Sequence, residues 1–463
     1  GWNMSSSVAD RLGEIRARLP LDEAWLVGGS VRDLLLDRPV FDIDLVVDDD
    51  PALVAKNLAR STGGSPFPLS ERHGAWRVVA PDHTIDVARC RGTLAQDLAL
   101  RDFTINAIAI PLTGGEPIDP NGGSDDLAAG LLRAVSETIF DDDPLRLLRL
   151  PRIAHELGFE IEQGTARLAV DRASRAAEPS AERIFMELRR LIGGERPAEG
   201  LRLAEALGVL DVVLPEVTPL RGCLQSSHHQ LDVWEHTLHV IEAVADIGDH
   251  PAHYLPAHGE RLEAELSRAV GADLCARQAL RFAALFHDIR KPQTRRETDG
   301  RVGFMGHDAQ GAEAAASILG RWKASNDLIR FCRVLVREHL ALGFSIPSRP
   351  LGLRVAHRYL RATAPWPGSS VALSLADRLA TRGPSSRLRH LRRHTETADE
   401  MLALISELER DRRPPLLRGD EIADQLNVRG PAIGRLVGLL AEEQAAGTVT
   451  NREEALAYVR EQV

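Results

Sequence analysis

Ala24-Trp-Leu-Val-Gly-Gly-Ser-Val-Arg-Asp-Leu-Leu-Leu-Asp-Arg-Pro-Val-Phe-Asp-Ile-Asp-Leu-Val-Val47 is the stretch from which the rest of the chain is read. A short apolar run enters a turn at Gly28, Gly29 and Ser30, a helical segment follows, and a β-rich run then carries Asp42 and Asp44 two residues apart. Side chains alternate between the faces of a strand, so Asp42 and Asp44 project from the same face. Two carboxylates that close repel each other unless a cation lies between them, and hard oxygen ligands suit Mg²⁺, which normally also binds substrate phosphates. Gly28 and Gly29 have no side chains to keep backbone N–H groups from a phosphate, and the helix start adds partial positive charge. Strand, turn, helix and strand in this order predict a site for a metal ion and a triphosphate.

At 463 residues the chain has material for several domains. Its 44% hydrophobic and 27% charged content is that of a soluble globular protein, and no apolar run reaches membrane-spanning length. Aromatic residues make up only 4%, which argues against recognition by rows of stacking rings and leaves base contacts to Arg and carboxylates. A net charge of −10 excludes a protein coated in positive charge, yet local basic runs exist at Arg183, Arg189 and Arg190, and at Arg387, Arg389, Arg392 and Arg393. Cys90, Cys223, Cys275 and Cys332 lie far apart with no C-x-x-C spacing, which suggests neither a zinc knuckle nor a disulfide framework and fits a reducing cytoplasm. The opening Gly1-Trp-Asn-Met4 reads as a short appended lead before a start Met, not as a signal peptide.

In chain order, residues 5–21 read as an amphipathic helix and Ala52 to Arg60 as another. Arg77 to Ala80 and Thr84 to Ala88 are short β-like runs around a Pro81-Asp82 turn, which makes a hairpin. Asp86 sits in the middle of the second run, where a charge is costly unless paired or metal-bound, so it is the candidate third carboxylate; an exposed Asp on an edge strand is the alternative. From Asp97 to Ile110 a helix end runs into an apolar strand, with Arg101, Asp102 and Asn106 as polar residues that need partners. After the Asp119 to Gly123 loop the pattern is helical. Asp142 to Pro144 have the chemistry of a helix N-terminus, Asp143 and Arg146 share a face, and Pro151 predicts a kink or break.

Five spaced motifs then carry a resemblance: Gly28-Gly29-x-Val31-Arg32-Asp33, Asp42-x-Asp44, Arg101-Asp102-Phe103-Thr104-x-Asn106-Ala107, Asp142-Asp143-Pro144-Leu145-Arg146 and Glu182-Arg183-Ile184-x-x-Glu187-Leu188. In this order they closely resemble the bacterial class II tRNA nucleotidyltransferases, the group of CCA-adding, CC-adding and A-adding enzymes and bacterial poly(A) polymerases. The likeness extends to the end of the chain through Pro415 to Ile422, Arg429 to Gly434 and Asn451 to Ala455. It implies an α+β protein: an α/β head of the polymerase β-like type with a small mixed sheet over residues 1–130, a helical nucleotide-selecting neck over 131–200, a helical body over 201–385 and a helical RNA-binding tail over 386–463.

By the same resemblance, Asp42 and Asp44, supported by Asp86, would bind Mg²⁺ while an RNA 3′-hydroxyl attacks the α-phosphate of a nucleoside triphosphate. Gly28, Gly29 and Arg32 would contact the triphosphate, Arg101, Asp102 and Asn106 the sugar and framework, and Arg149 and Arg152 would complete the nucleotide site. A purely structural role for Asp102 or Asn106 is equally open. Asp143 and Arg146 match the pair that chooses the nucleotide by imitating a base-pairing partner. Four departures accompany the match: Leu100 where the motif usually has Arg, Asp142 where it usually has Glu, Pro151, and a short link from Ala88 to Gln96 where CCA-adding members carry a longer flexible loop. That loop is associated with the change from CTP to ATP, so its loss favours addition of CC.

Farther on, His236, His287, Asp288, His307, His339 and Asp377 resemble the ligands of an HD phosphohydrolase domain, a set that suits a divalent transition metal able to activate water for phosphoester hydrolysis. Arg290 stands where that pattern usually has Gly. The sequence therefore points to template-independent transfer of CMP from CTP to a tRNA 3′ end. Full CCA addition with ATP and polyadenylation are the alternatives within the class, and an HD phosphohydrolase or a non-catalytic RNA-binding module are the alternatives outside it.

Overall fold

The computed structural model describes residues 6–21, 23–70, 74–226, 230–271, 274–381 and 387–463. The opening Gly1 to Met4 lead lies outside the described residues, as does the side chain of Arg387 in the second basic run. The chain divides into two compact units, residues 1–180 with 203–213, and 181–202 with 214–463.

In the first unit α1 (Ser6–Ala17) precedes β1 (Trp25–Val27), α2 (Gly28–Leu35), β2 (Asp42–Val47), α3 (Pro51–Thr62), β3 (Ser65–Ser70), β4 (Ala75–Val79), β5 (Thr84–Arg89), α4 (Leu94–Ala99) and β6 (Ala109–Pro111). The strands form one sheet in the order β3-β4-β5-β2-β1-β6. It is mixed, as expected: β2 and β5 run parallel, and the other neighbours are antiparallel. The hairpin read around Pro81 and Asp82 is the β4–β5 pair. Ile43, Leu45, Ile85 and Val87 are at most 1% exposed. Alternation therefore leaves Asp42, Asp44 and Asp86 together on the opposite face, where a slip of one residue would bury the acids and expose the core.

Sequence periodicity missed β3, because Pro66 and Pro68 remove two donors from the ladder. The strand lies at the sheet edge, the position that tolerates proline. It also put Asp86 at risk of an edge, whereas β5 lies inside the sheet. The apolar strand read up to Ile110 is preceded by a 3₁₀ turn over Thr104–Asn106. Two short ladders were not foreseen, Leu131–Leu132 with Glu160–Ile161 and Arg296–Thr298 with Arg301–Gly303.

After α5 (Gly123–Ala129) a short α6 (Ile139–Asp142) ends just before Asp143, and the helix expected from Asp143 is α7 (Arg146–Leu157), which begins three residues beyond it. Asp143 bridges them in extended conformation, with its Oδ1 accepting the Leu145 N–H at 3.1 Å. Of the kink or break expected at Pro151, the break does not occur, for α7 runs through it. A proline inside a helix costs about 3 kcal/mol, whereas Leu147, Leu148, Leu150, Ile153 and Ala154 are buried on this helix, with roughly 1.5–3 kcal/mol for each of the larger side chains. Packing outweighs the lost hydrogen bond.

In the second unit, helices Val233–Asp249, Ala276–Phe286, His307–Arg321, Asn326–Glu338 and Pro367–Ala380 pack on one another. The last helices carry an apolar cluster of their own around Leu417, Ile422, Leu436, Leu440 and Val459. Among the described residues no helix is long and apolar enough to cross a membrane.

Gly123 opens α5 directly under the Thr104–Asn106 turn, and a Cβ there would stand 2.1 Å from the Thr104 carbonyl oxygen. Gly123→Ala is therefore expected to destabilise this unit by about 2 kcal/mol or more, read as a lower urea midpoint for its unfolding.

Candidate active site and a second metal-ligand cluster

The Gly28 turn meets the acidic face of β2. Gly28 has φ +64°, and a Cβ on it would stand 3.0 Å from Asp44 Oδ2 and 3.2 Å from Arg101 Nη1, so the space beside carboxylate and guanidinium exists because this residue is glycine. Ser30 locks the turn to the strand: its hydroxyl donates to the Val27 carbonyl at 2.6 Å and accepts the Asp44 N–H at 3.2 Å. Asp42, exposed at the start of β2, accepts a hydrogen bond from the Thr84 hydroxyl. Asp86 lies opposite Asp44 in the parallel ladder and opposite Arg77 in the antiparallel one. Arg77 grips it with both oxygens engaged, Nε to Oδ1 at 2.7 Å and Nη2 to Oδ2 at 2.8 Å.

Burial, and after it the neighbouring Asp86, pushes the Asp44 carboxyl up to about 6, Arg101 working against the rise and Asp42 adding to it. Desolvated oxygens beside an open cradle fit a divalent cation held by Asp42 and Asp44.

Arg32, Asn106, Asp102 and Arg149 join in one network. Arg32 donates to Asp33 Oδ1 at 2.9 Å and to Asn106 Oδ1 at 3.1 Å, Asn106 donates to Asp102 Oδ1 at 3.1 Å, and Asp102 Oδ2 lies 3.0 Å from Arg149 Nη2. Burial opposes the charge on Asp102, but Arg149, Asn106 and the Phe103 N–H more than offset it and hold its carboxyl below the usual range. Arg146 donates to the carbonyls of Leu100 at 2.9 Å and Ile139 at 3.2 Å. Arg152 stands apart from this surface: it is 4% exposed and bonded to Glu156 at 3.2 Å, which makes it a support of α7 rather than a nucleotide contact.

Asp97 went unrecognised in the sequence. It is 1% exposed and holds two arginines, Arg91 Nε at 2.9 Å and Arg101 Nη2 at 3.3 Å. Its spacing of four from Arg101 on a helical run was the available signal.

The second unit brings together all six HD candidates. His236, His287, Asp288 and Asp377 form one set with ligand atoms within 4.8 Å of one another, and Asp288, His307 and His339 form another. Nδ1 of His287, His307 and His339 each lies 2.6 to 2.7 Å from a backbone carbonyl, of Ala284, Phe304 and Val336. Those carbonyls fix the tautomer and aim each Nε2 inward. Asp288 is the shared centre, 3.1 Å from His287 Nε2, 3.3 Å from His307 Nε2 and 2.8 Å from Lys291 Nζ. The His287 Nε2 and both Asp288 oxygens are buried without hydrogen-bond geometry to any partner, as ligands awaiting a cation would be. Imidazole and carboxylate donors together fit a divalent transition metal. Burial works against the charge on Asp288, yet His287 and Lys291 hold it well below the usual carboxylate range. Lys291 was not singled out in the sequence, although it follows the His287-Asp288 pair by three residues.

Family models match most of the chain: the poly A polymerase head domain over residues 24–133, the probable RNA and SrmB-binding site of polymerase A over 158–220, and the HD domain over 233–382. The sequence is 37% identical over 449 residues to the CC-adding tRNA nucleotidyltransferase of Thermus thermophilus, covering 94% of this chain and 93% of that protein. It is 36% identical over 445 residues to the A-adding tRNA nucleotidyltransferase of Deinococcus radiodurans, covering 94% and 95%. A solved CCA-adding enzyme in complex with CTP shares the fold with a TM-score of 0.62 at 20% identity, over 100% of this chain and 99% of that one. The Thermotoga maritima CCA-adding enzyme complexed with tRNA does so with a TM-score of 0.58 at 20% identity, over 98% and 95%.

The raised Asp44 carboxyl has a stability consequence whose sign is fixed. The folded chain holds this proton more tightly than the unfolded one, so the cost of ionising Asp44 is absent below about pH 4 and fully present above about pH 6. In metal-free buffer Asp44→Asn should stabilise the protein at pH 7.5 by about 1–2 kcal/mol, discounted because Asp44 is only half-buried, with the difference vanishing near pH 4 in denaturant titrations.

Proposed function

The chain belongs to the tRNA nucleotidyltransferases of the CCA-adding family, and within it we propose that this is a CC-adding enzyme, transferring CMP from CTP to a tRNA 3′ end. The observation that carries this reading is the link between β5 and α4. Arg89 ends the strand, Leu94 starts the helix, and residues 90–93 between them are tied down. Thr93 and Gln96 form a reciprocal capping box, and Arg91 donates to Asp97 through both its backbone N–H at 3.2 Å and its Nε at 2.9 Å. The family's longer loop at this place is associated with the change from CTP to ATP, and a capped, ion-paired link has no slack for such a change. Relatives of both single-addition kinds match about equally well, so the proposal rests on this link and not on the comparisons.

In this reading Asp42 and Asp44 would hold a divalent ion, which when bound would supply positive charge for attack by the RNA 3′-hydroxyl on the α-phosphate and for the departing pyrophosphate. Arg101, tethered by Asp97, lies against Gly28, and Arg32, bonded to Asp33 and Asn106, lies against Gly29, so both guanidiniums flank the turn that would take the triphosphate. Asp143 accepts from an exocyclic amino group and Arg146, with five donors of which two are used on carbonyls, gives to ring acceptors. Cytosine and adenine satisfy that pair, while uracil and guanine leave it unpaired. The tail and the 158–220 region would hold the tRNA through Arg and backbone N–H groups on phosphates and 2′-hydroxyls.

The HD cluster supports a second, separate activity on phosphoesters. His287, Asp288 and Asp377 would hold the metal that activates water there, and Lys291 places a positive charge beside them where a phosphate would bind.

Offered tRNA lacking its 3′ CCA and each nucleoside triphosphate separately, the protein should extend with CTP alone and stop after two residues on a sequencing gel. Addition of A after CC, or long A tracts on many RNAs, would overturn the CC assignment. Asp42→Ala is expected to lower extension roughly 1000-fold or more and leave phosphoester hydrolysis intact, because charge stabilisation by a held cation is worth several kcal/mol. His287→Ala should do the reverse, with loss of bound metal from the HD cluster by elemental analysis.

A further inference from the structure

Row by row across the sheet, the acidic face reads Arg77 on β4, Asp86 on β5 and Asp44 on β2, each opposite the next in the strand register. The middle residue is saturated on one side: both Asp86 oxygens accept from the planar fork of Arg77, at 2.7 and 2.8 Å. A side-on fork of this kind fixes orientation as well as charge. With side chains 34% and 26% exposed, the pair is worth little as a stability device. Its place matters more, since Asp86 is the strongest neighbouring charge on Asp44, and the Arg77 guanidinium in turn feels Asp42 and Asp44 after Asp86. The three carboxylates are also not gathered on one point: among the described residues, sets of three or more ligand atoms within 4.8 Å of one another occur at the HD cluster and not at Asp42, Asp44 and Asp86.

We propose that Arg77 is a positioning residue that holds Asp86 aligned and charge-compensated beside Asp44, and thereby sets how much divalent cation the head needs. This rests on the nucleotidyl transfer proposed above. Two separable properties are involved. The charge of Arg77 opposes cation binding at Asp42 and Asp44, because like charges repel across a few ångströms. The fork aims the Asp86 carboxylate along the row, and misalignment of a group beside the reacting centre slows the chemical step without weakening nucleotide binding.

The experiment is steady-state incorporation of CMP into tRNA lacking its 3′ CCA, with the full chain and MgCl₂ titrated at saturating CTP. For Arg77→Gln the half-saturating Mg²⁺ concentration should fall about threefold and kcat about tenfold, with KM for CTP within about twofold of the parent. Arg77→Lys keeps the charge and loses the fork, so its Mg²⁺ requirement should match the parent while kcat is intermediate. Asp86→Asn leaves Arg77 uncompensated and should raise the Mg²⁺ requirement, and Arg77→Gln combined with Asp86→Asn should bring it back near the parent value. An unchanged Mg²⁺ requirement in Arg77→Gln, or a double variant no closer to the parent than either single one, overturns the assignment. If Arg77→Gln fails to fold, judged by its melting curve, Arg77→Lys and Asp86→Asn decide it by the same two readings. A parent protein that adds no C at any Mg²⁺ concentration would instead sink the nucleotidyl transfer reading itself.

Discussion

Repulsion among the carboxylates of Asp42, Asp44 and Asp86, fixed on one face of the sheet by strand register, is the constraint around which the head is arranged. The strands cannot relieve it by turning, because Ile43, Leu45, Ile85 and Val87 fill the other face. Relief has to come from neighbours. Thr84 donates to Asp42, Arg77 spans Asp86, and Arg101 and Arg149 oppose the charge that Asp86 and Asp42 impose on Asp44. Burial first, and then the repulsion left over, pushes the Asp44 carboxyl up to about 6, next to a turn whose first glycine keeps the space in front of it open. Uncompensated charge beside an open cradle is what a site for a divalent cation and a polyphosphate requires.

The parts of this arrangement that were legible in the sequence are those set by local periodicity. Two acids with one residue between them on a strand must share a face, and a glycine at φ +64° reads as a turn wherever it falls. What was illegible depends on partners distant in sequence. Nothing in the spacing of Arg77 and Asp86 says that they lie opposite each other until the hairpin register is known. Asp97 looked like one more polar residue at a helix end, though it anchors both Arg91 and Arg101. At Pro151 the local signal allowed a break or a kink, and the helix continues through it amid buried apolar residues. Local rules therefore located the acids, and tertiary partners decided what each acid is free to do.

The HD cluster solves a similar electrostatic problem with a different donor set. There one carboxylate, Asp288, sits at the junction of two ligand groups, and the compensation comes from imidazoles and Lys291 instead of guanidinium forks. Carbonyls three residues back hold the Nδ1 of three histidines, from the helix itself for His287 and His339 and from the turn before its helix for His307. Arg290, where the family pattern has Gly, has φ −104° and ψ 6°, a conformation open to any side chain. The departure thus costs the backbone nothing.

The same reasoning joins the short link after β5 to the choice of base. Arg146 is docked on the carbonyl of Leu100, and Leu100 closes α4, the helix that the capped link begins. Asp97 on that helix binds Arg91 in the link and Arg101 beside the Gly28 turn. Link, helix, Arg101 and Arg146 are therefore tied together by hydrogen bonds. A site that serves first one base and then another needs two arrangements of such a pair, close enough in energy to exchange. If the chain adds CC as proposed, a short capped link would leave little slack to absorb such a change, and the selectivity would come from rigidity imposed far along the chain from the side chains that touch the base.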